Sequence, residues 1–368
     1  MTIRRFLGYI KKRASRVLIN SINTVSFLLN SPKKNTVLLV EGNSSHTELF
    51  PSFIKYLNTL GFNVEIIVNS DQMGNLPKLN ANKIYFFNIA GMKTALNFQK
   101  AEKYSFIIFT SYRLYYPTPD KKSLQSTVLD HFNIRQNTAC VYHHLEDYNE
   151  NSKKPAIVLS KNLKKDDGLY VVNPCYFKEN TLKNKNKKTI FTTVGKLENT
   201  RKNTNLLFDG IRELVKEGVG DFEVNILGDN KKDCIPNDIK EFFNVKGKLS
   251  FDKLYLELEN ADFYLPLLDP LEHQRYLTLG TSGSFQLIRG FLLPPVIHNI
   301  FAQLYRFNNE NSIIYNENKD FCFALKKAVN INNEEYLALQ KSLLNQRDEI
   351  YKISAENLKT LLNKLIGS

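Results

Sequence analysis

The stretch TIFTTVGKLENTRKNTNLLFDGIRELVKEGVGDFEVNILGDN, Thr189 to Asn230, constrains the fold more than any other. Thr189 to Val194 is a β-branched run with the composition of a buried strand. Gly195 ends it, and a polar loop follows with Lys196 and then the pair Arg201 and Lys202. Leu206, Leu207, Ile211, Leu214 and Val215 then fall on one helical face. Phe222 to Leu227 reads as a second strand, closed by Gly228-Asp229. Strand, loop, helix, strand is a βαβ unit, and the connection rules make its strands parallel. Cations at the carboxyl end of a parallel strand, with a helix N-terminus behind them, suit an anionic ligand. The pattern also fits an ordinary α/β loop whose lysines are solvated.

Residue order narrows the choice. VGKLENTRKNTNLL resembles the start of the donor half of GT-B-type glycosyltransferases, above all the large retaining family 4. That family carries a strand, Gly, a basic residue, Leu, a short spacer, a Lys and a Leu-rich helix, and its two cations hold the diphosphate of a nucleotide-sugar. By this resemblance Lys196 and Lys202 take those roles around Gly195 and Gly228, with Arg201 as a substitute for Lys202. Lys196 stands where Arg is more usual, and Asn203 where Gly usually follows the Lys. The implied fold is α/β with GT-B architecture: two Rossmann-like parallel-sheet domains facing a cleft, preceded by an amphipathic helix.

Composition bounds the rest. At 368 residues the chain has room for two domains, and 42% hydrophobic with 24% charged residues is globular composition. A formal charge of +13 points to nucleic acid, anionic membrane or phosphorylated substrates. No RNP-like or helix-turn-helix pattern is visible, which counts against nucleic acid. Cys140, Cys175, Cys234 and Cys322 form no CxxC pair and read as free thiols of a reducing compartment. No apolar run is long enough to span a bilayer.

Residues 1–31 have apolar residues Ile3, Phe6, Leu7, Ile10, Val17, Leu18, Ile22 and Val25 at helical spacing. Arg4, Arg5, Lys11, Lys12, Arg13 and Arg16 fill much of the remainder. A basic amphipathic helix of this kind lies in a membrane interface; a helix packed on the domain is the alternative. Residues 1–30 are thus the expected contact with an anionic membrane surface, and Pro32 to Asn35 the hinge beyond.

Residues 32–179 are expected to form an N-terminal, acceptor-side domain. Thr36 to Glu41 is an apolar strand running into a loop with Gly42, His46 and Glu48, then a helix and a further strand, Phe62 to Val68. Lys83 to Ile89 and Tyr104 to Thr110 read as strands, the latter ending in a loop at Ser111 to Arg113. Thr138 to Tyr142 ends in His143-His144 beside Glu146 and Asp147, a place for proton chemistry. By the resemblance, His144 is the first choice for a catalytic His near the donor sugar and His143 the second. Gly42, His46 and Glu48 would face the acceptor, although Ser44, Ser45 or Thr47 as a helix cap explains that loop equally well. The His, Asp and Glu spacing matches no zinc motif, so no metal is expected. Ala156 to Leu159 and Leu169 to Val172 are the last short strands.

Asn180 to Lys188 is polar and basic and reads as the linker. Residues 189–345 are expected to form the nucleotide-sugar domain. Ala261 to Leu267 reads as a strand leading to Glu272, which by the resemblance grips the donor sugar as a catalytic-site residue. The family's second glutamate is missing: Gly280 stands eight positions on. Ser282, Gly283 and Ser284 at a helix start offer N–H groups to the donor phosphate, and Gln286 stands where ribose would bind. Glu310 is a minor donor-binding candidate. Residues 346–368 are expected to be a helix crossing back to the first domain.

The resemblance thus implies an enzyme, a glycosyltransferase moving a hexosyl group with retention from a nucleotide-diphospho-sugar to a glycan or polyprenyl-linked glycan. It implies cell-surface polysaccharide synthesis by a cytoplasmic enzyme, peripheral at the inner membrane face, with no cofactor besides the donor. A GT-B-type glycerol- or ribitol-phosphate transferase and a non-catalytic GT-B-like binding protein are the alternatives. The sequence leaves the oligomeric state open.

Overall fold

The computed structural model describes residues 18, 21–97, 103–117, 123–132, 136–148, 156–163, 168–177 and 182–367. They form two compact units. One ends at Val172 and takes up the chain again from Ile353; the other is Asn173–Lys352. Most of the amphipathic segment expected over residues 1–31 lies outside the described residues.

In the first unit, α1 (residues 21–29) precedes β1 (Thr36–Glu41). Phe27 of α1 is buried, 5.2 Å from the Tyr85 ring and 6.0 Å from Tyr104, and Asn30 bonds the buried Glu65 carboxylate at 2.8 Å. Next come α2 (Phe50–Thr59), β2 (Asn63–Asn69), β3 (Lys83–Phe87) and α3 (Ile89–Asn97). β3 is shorter than expected because Asn88 caps α3, its Oδ1 accepting the Gly91 N–H at 2.8 Å. After β4 (Phe106–Phe109), an antiparallel hairpin of β5 (Arg113–Pro117) and β6 (Ser123–Thr127) takes the place of a simple loop. Then follow α4 (Val128–His131), β7 (Thr138–Tyr142), β8 (Ala156–Val158) and β9 (Leu169–Val171).

The seven-stranded sheet runs β3-β2-β1-β4-β7-β8-β9, and each pairing in it is parallel. Every residue of β1, β4 and β7 is buried, as strands of a parallel sheet covered on both faces must be. Strand order reverses between β1 and β4, the point at which open α/β sheets bind ligands.

The second unit begins with β10 (Thr189–Val194), α5 (Thr204–Lys216), β11 (Phe222–Leu227), β12 (Phe243–Gly247), α6 (Phe251–Asn260) and β13 (Phe263–Tyr264). The sheet order is β12-β11-β10-β13, again parallel, with its reversal between β10 and β13. Leu206, Leu207, Ile211 and Leu214 of α5 are buried in one core with Phe191, Phe222, Val224 and Ile226. β13 is shorter than the strand expected over Ala261 to Leu267. Pro266 has no N–H to pair, and Leu267 takes a left-handed φ of 55°, which turns the chain. The unit continues with α7 (Arg275–Thr278), α8 (Ser284–Phe291), β14 (Val296–His298), α9 (Asn299–Leu304), β15 (Ile313–Tyr315), α10 (Phe321–Asn330) and α11 (Asn333–Gly367). β14 and β15 pair in parallel, and a single bridge from Tyr264 to Pro295 adds them beside β13.

The units part at Val172, upstream of the polar stretch read as a linker. Residues 182–188 instead fasten to the second unit, because the fully buried Asp262 carboxylate needs partners. Asn186 N–H donates to its Oδ1 at 3.1 Å, Ile190 N–H to its Oδ2 at 2.8 Å, and Lys183 lies 3.4 Å away. α11 starts in the second unit, and its residues from Ile353 belong to the first. Among the described residues no helix is long and apolar enough to cross a membrane.

Candidate functional site

In the second unit Gly195, Lys202, Gly228 and Ser284 meet at the carboxyl end of β10. Gly195 has φ 112° and Gly228 has φ 152°. A Cβ on Gly228 would lie 2.7 Å from the Gly195 carbonyl oxygen, so only glycine lets the two loops touch. Asn230 pins them: its Nδ2 donates to Gly195 O at 2.9 Å and its Oδ1 accepts the Leu197 N–H at 2.8 Å.

Lys202 runs beneath Gly195, its Cε 3.6 Å from where a Cβ there would stand. The residue is 5% exposed, and its Nζ donates to Pro266 O at 3.3 Å. No carboxylate pairs with it among the described residues, and burial pushes its pKa down to about 7. The turn at Leu267 makes this possible: it aims one carbonyl at Lys202 and the next at the Asn203 N–H, 2.7 Å away. Asn203, where glycine was the family's usual residue, caps α5 by accepting the Leu206 N–H at 2.9 Å. Lys196 and Arg201 are placed differently. Both are exposed around Glu198, Lys196 ion-paired with it and Arg201 Nε 3.9 Å from its Oε2. Arg201 therefore lies apart from the buried Lys202.

Ser282, Gly283 and Ser284 meet the same end of the sheet. Tyr264 OH donates to Ser284 Oγ at 3.1 Å and also lies on the Val194 backbone, tying the start of α8 to the end of β10. Gln286 is buried one turn in. Glu272 is exposed on a hydrogen-bonded loop. Asp269 Oδ1 accepts the Leu271 and Glu272 N–H groups at 2.8 and 3.1 Å, and Asn318 donates to its Oδ2 at 2.7 Å. Burial opposes the Asp269 charge, but these donors outweigh it and hold the carboxyl below its ordinary range. His273 Nε2 donates to Asn199 O at 3.0 Å and ties this loop to the one after β10. Glu310 is not part of this edge. It precedes β15, so it lies at the amino end of that strand, in a groove of about 700 Å³ lined also by Ser312, Lys327 and Lys341.

In the first unit a titratable cluster occupies the reversal point between β1 and β4. Glu41, the last residue of β1, is fully buried. Its Oε2 accepts Thr110 and Ser111 hydroxyls at 2.8 and 2.7 Å, and its Oε1 accepts the Asn43 N–H at 2.8 Å. Burial raises its pKa against these bonds and the charge of His46. Gly42 carries the chain out of the strand, its carbonyl accepting Asn69 Nδ2 at 2.7 Å, and Asn43 clamps the hairpin by donating to Arg113 O at 2.9 Å.

His46 follows with φ 66°, its Nδ1 3.3 Å from Glu48 Oε1. Burial disfavours the imidazolium there, but the Glu48 bond and charge outweigh it and raise the pKa; Glu48 is lowered in turn. The His46 ring packs 4.1 Å from the ring of His143, not of His144, the first choice from the sequence. His144 begins the next turn, half-buried and in extended backbone. His143 Nε2 donates to Thr110 O at 2.8 Å; a carbonyl only accepts, so the proton sits on Nε2 and Nδ1 carries the lone pair, which no described residue bonds. Burial, then the charge of His46, pushes the His143 pKa down to about 3, so the ring is a neutral hydrogen-bond acceptor. Among the described residues no group of three or more His, Cys, Asp or Glu is arranged to hold a metal ion.

Sequence reasoning passed over Glu41 and Asn230. The signal for Glu41 was a lone acid closing an apolar strand; for Asn230 it was only its place after a Gly-Asp turn.

No protein-family model matches the sequence. No curated protein matches it either. Solved structures do. WaaG, described as a glycosyltransferase involved in lipopolysaccharide biosynthesis, matches with 10% identity and a TM-score of 0.53, over 90% of this chain and 100% of its own. A point mutant of S. aureus TarM in complex with fondaparinux, alpha-GlcNAc-glycerol and UDP matches with 10% identity and a TM-score of 0.57, over 91% and 100%. An E. coli trehalose-6-phosphate structure bound with UDP-2-fluoro glucose matches with 11% identity and a TM-score of 0.51, over 89% and 99%. With its two parallel sheets, the chain has the GT-B fold of these glycosyltransferase structures.

Proposed function

We propose that the chain is a glycosyltransferase that moves a sugar from a nucleotide-diphospho-sugar to a glycan or lipid-linked glycan during cell-surface polysaccharide synthesis, with retention. The observation that carries this reading is Lys202: a buried ammonium without a carboxylate among the described residues, at the strand-order reversal of a parallel sheet. A cation left unneutralised there suits a departing diphosphate, whose growing charge it stabilises. Lys196 adds a second, exposed charge at the rim. Ser282, Gly283 and Ser284 present hydroxyls and N–H groups to the same phosphates, and Glu272 grips the sugar hydroxyls. On the acceptor side, the lone pair on Nδ1 of His143 accepts a hydrogen bond from the incoming hydroxyl and orients it. The cation-rich amino terminus brings the enzyme to an anionic membrane surface where lipid-linked acceptors lie.

A thermal-shift panel of UDP-, GDP-, ADP- and CMP-sugars tests the reading. A true donor at 100 times its Kd stabilises the folded form by about 2.7 kcal/mol, or a few degrees in Tm. No shift with any donor removes the proposal.

A further inference from the structure

The face of α1 turned away from the core is apolar. Ile22, Val25 and Leu29 are 58, 55 and 77% exposed, and their spacing of three and four places them in one stripe along the helix; Leu18, four residues before Ile22, is 62% exposed. The opposite face is anchored: Phe27 is buried among Tyr85, Phe87 and Tyr104, and Asn23 Oδ1 accepts the Phe86 N–H at 3.0 Å. The helix is therefore fixed to the first unit with three aliphatic side chains in water. Soluble surfaces scatter such side chains singly, and an ordered row of them marks a contact.

Charge identifies the occupant. The first 40 residues hold Arg4, Arg5, Lys11, Lys12, Arg13, Arg16, Lys33 and Lys34 and no acid; Glu41 is the first. Lys33 and Lys34 lie just past the end of α1. Cations flanking an apolar stripe, with no carboxylate to oppose an anionic headgroup, match an interfacial helix on acidic lipid. We infer that the Leu18, Ile22, Val25 and Leu29 face inserts among the acyl chains of an anionic leaflet, with Lys33 and Lys34 at the headgroups. This rests on the reading that the amino terminus meets a membrane, and it names the side chains that enter it. Because Phe27 locks α1 to the sheet, insertion also fixes the orientation of the first unit on the membrane.

The test is sedimentation of the full chain with vesicles of 30% phosphatidylglycerol in phosphatidylcholine, and with pure phosphatidylcholine. Ile22→Asn with Leu29→Asn alters exposed side chains only, and circular dichroism checks that folding is intact. The expected result is binding to the acidic vesicles that falls at least about tenfold in the double variant. Residual binding of the variant should vanish at 0.5 M salt while the wild type keeps a part of its own. Unchanged binding by the variant overturns the inference and leaves a purely electrostatic contact. Absence of binding by the wild type overturns the membrane reading as well, while the sugar-nucleotide panel still decides the transferase reading. A wild-type dimer in sedimentation equilibrium that the double variant loses would assign the stripe to a second copy and overturn the inference too.

Discussion

Lys202 and Glu41 are the two residues whose burial has a measurable consequence. With a folded pKa of about 7 against an ordinary value near 10.4, Lys202 binds its proton less readily in the native state. Between those values the unfolded chain holds more protons, so stability should rise with pH from about 7 toward 10. Lys202→Met should flatten that slope in pH-dependent denaturant melts. A bound diphosphate restores the ammonium, so sugar-nucleotide binding at pH 8 should take up a proton, and affinity should fall as pH rises above 7. Calorimetry in two buffers of different ionisation enthalpy reads this directly. Glu41→Ala should cost about 3 kcal/mol, because the Asn43, Thr110 and Ser111 donors lose their acceptor together. Glu41→Gln, which keeps an acceptor oxygen, should cost less in the same melts. Neither consequence can be read from residue type alone. A lysine in a polar loop is normally solvated; this one is buried because Leu267 turns backward under it.

At the level of elements, apolar runs made the sheets readable. β1, β7, β10 and β11 occupy the segments their composition marks, since mostly buried strands need apolar and β-branched sequence. The β5-β6 hairpin was hidden because its polar and proline-flanked strands lack that signature. β13 was overestimated because Pro266 and Leu267 break pairing in an otherwise apolar run. The loops after β10 and β11 depend on glycine contact. Gly228→Ala should push the Gly195 peptide away and lower stability by about 2 kcal/mol, with loss of sugar-nucleotide binding. Asn230→Ala should cost about 1 kcal/mol, since it leaves Gly195 O and Leu197 N–H unpaired at a half-buried site. Calorimetric melts and donor titrations on both variants check these expectations.

Across the whole molecule, two parallel sheets each gather their polar residues at the point where strand order reverses, as open α/β sheets do with ligands. The sequence identified the cation loop through its order of residues and the histidine pair through its place at a strand end. The resemblance put Lys202 ahead of Arg201, but it also put His144 ahead of His143, because which histidine meets His46 depends on the tertiary fold. The central assignment is that Lys202 neutralises the diphosphate of a donor. The most direct measurement is calorimetric titration of a stabilising sugar nucleotide, and of its nucleoside alone, into wild type and Lys202→Met. Loss of a charge-assisted contact worth about 2 kcal/mol should weaken the sugar nucleotide about thirtyfold and leave the nucleoside unchanged. Equal affinities in the two proteins, or equal losses for both ligands, would contradict it.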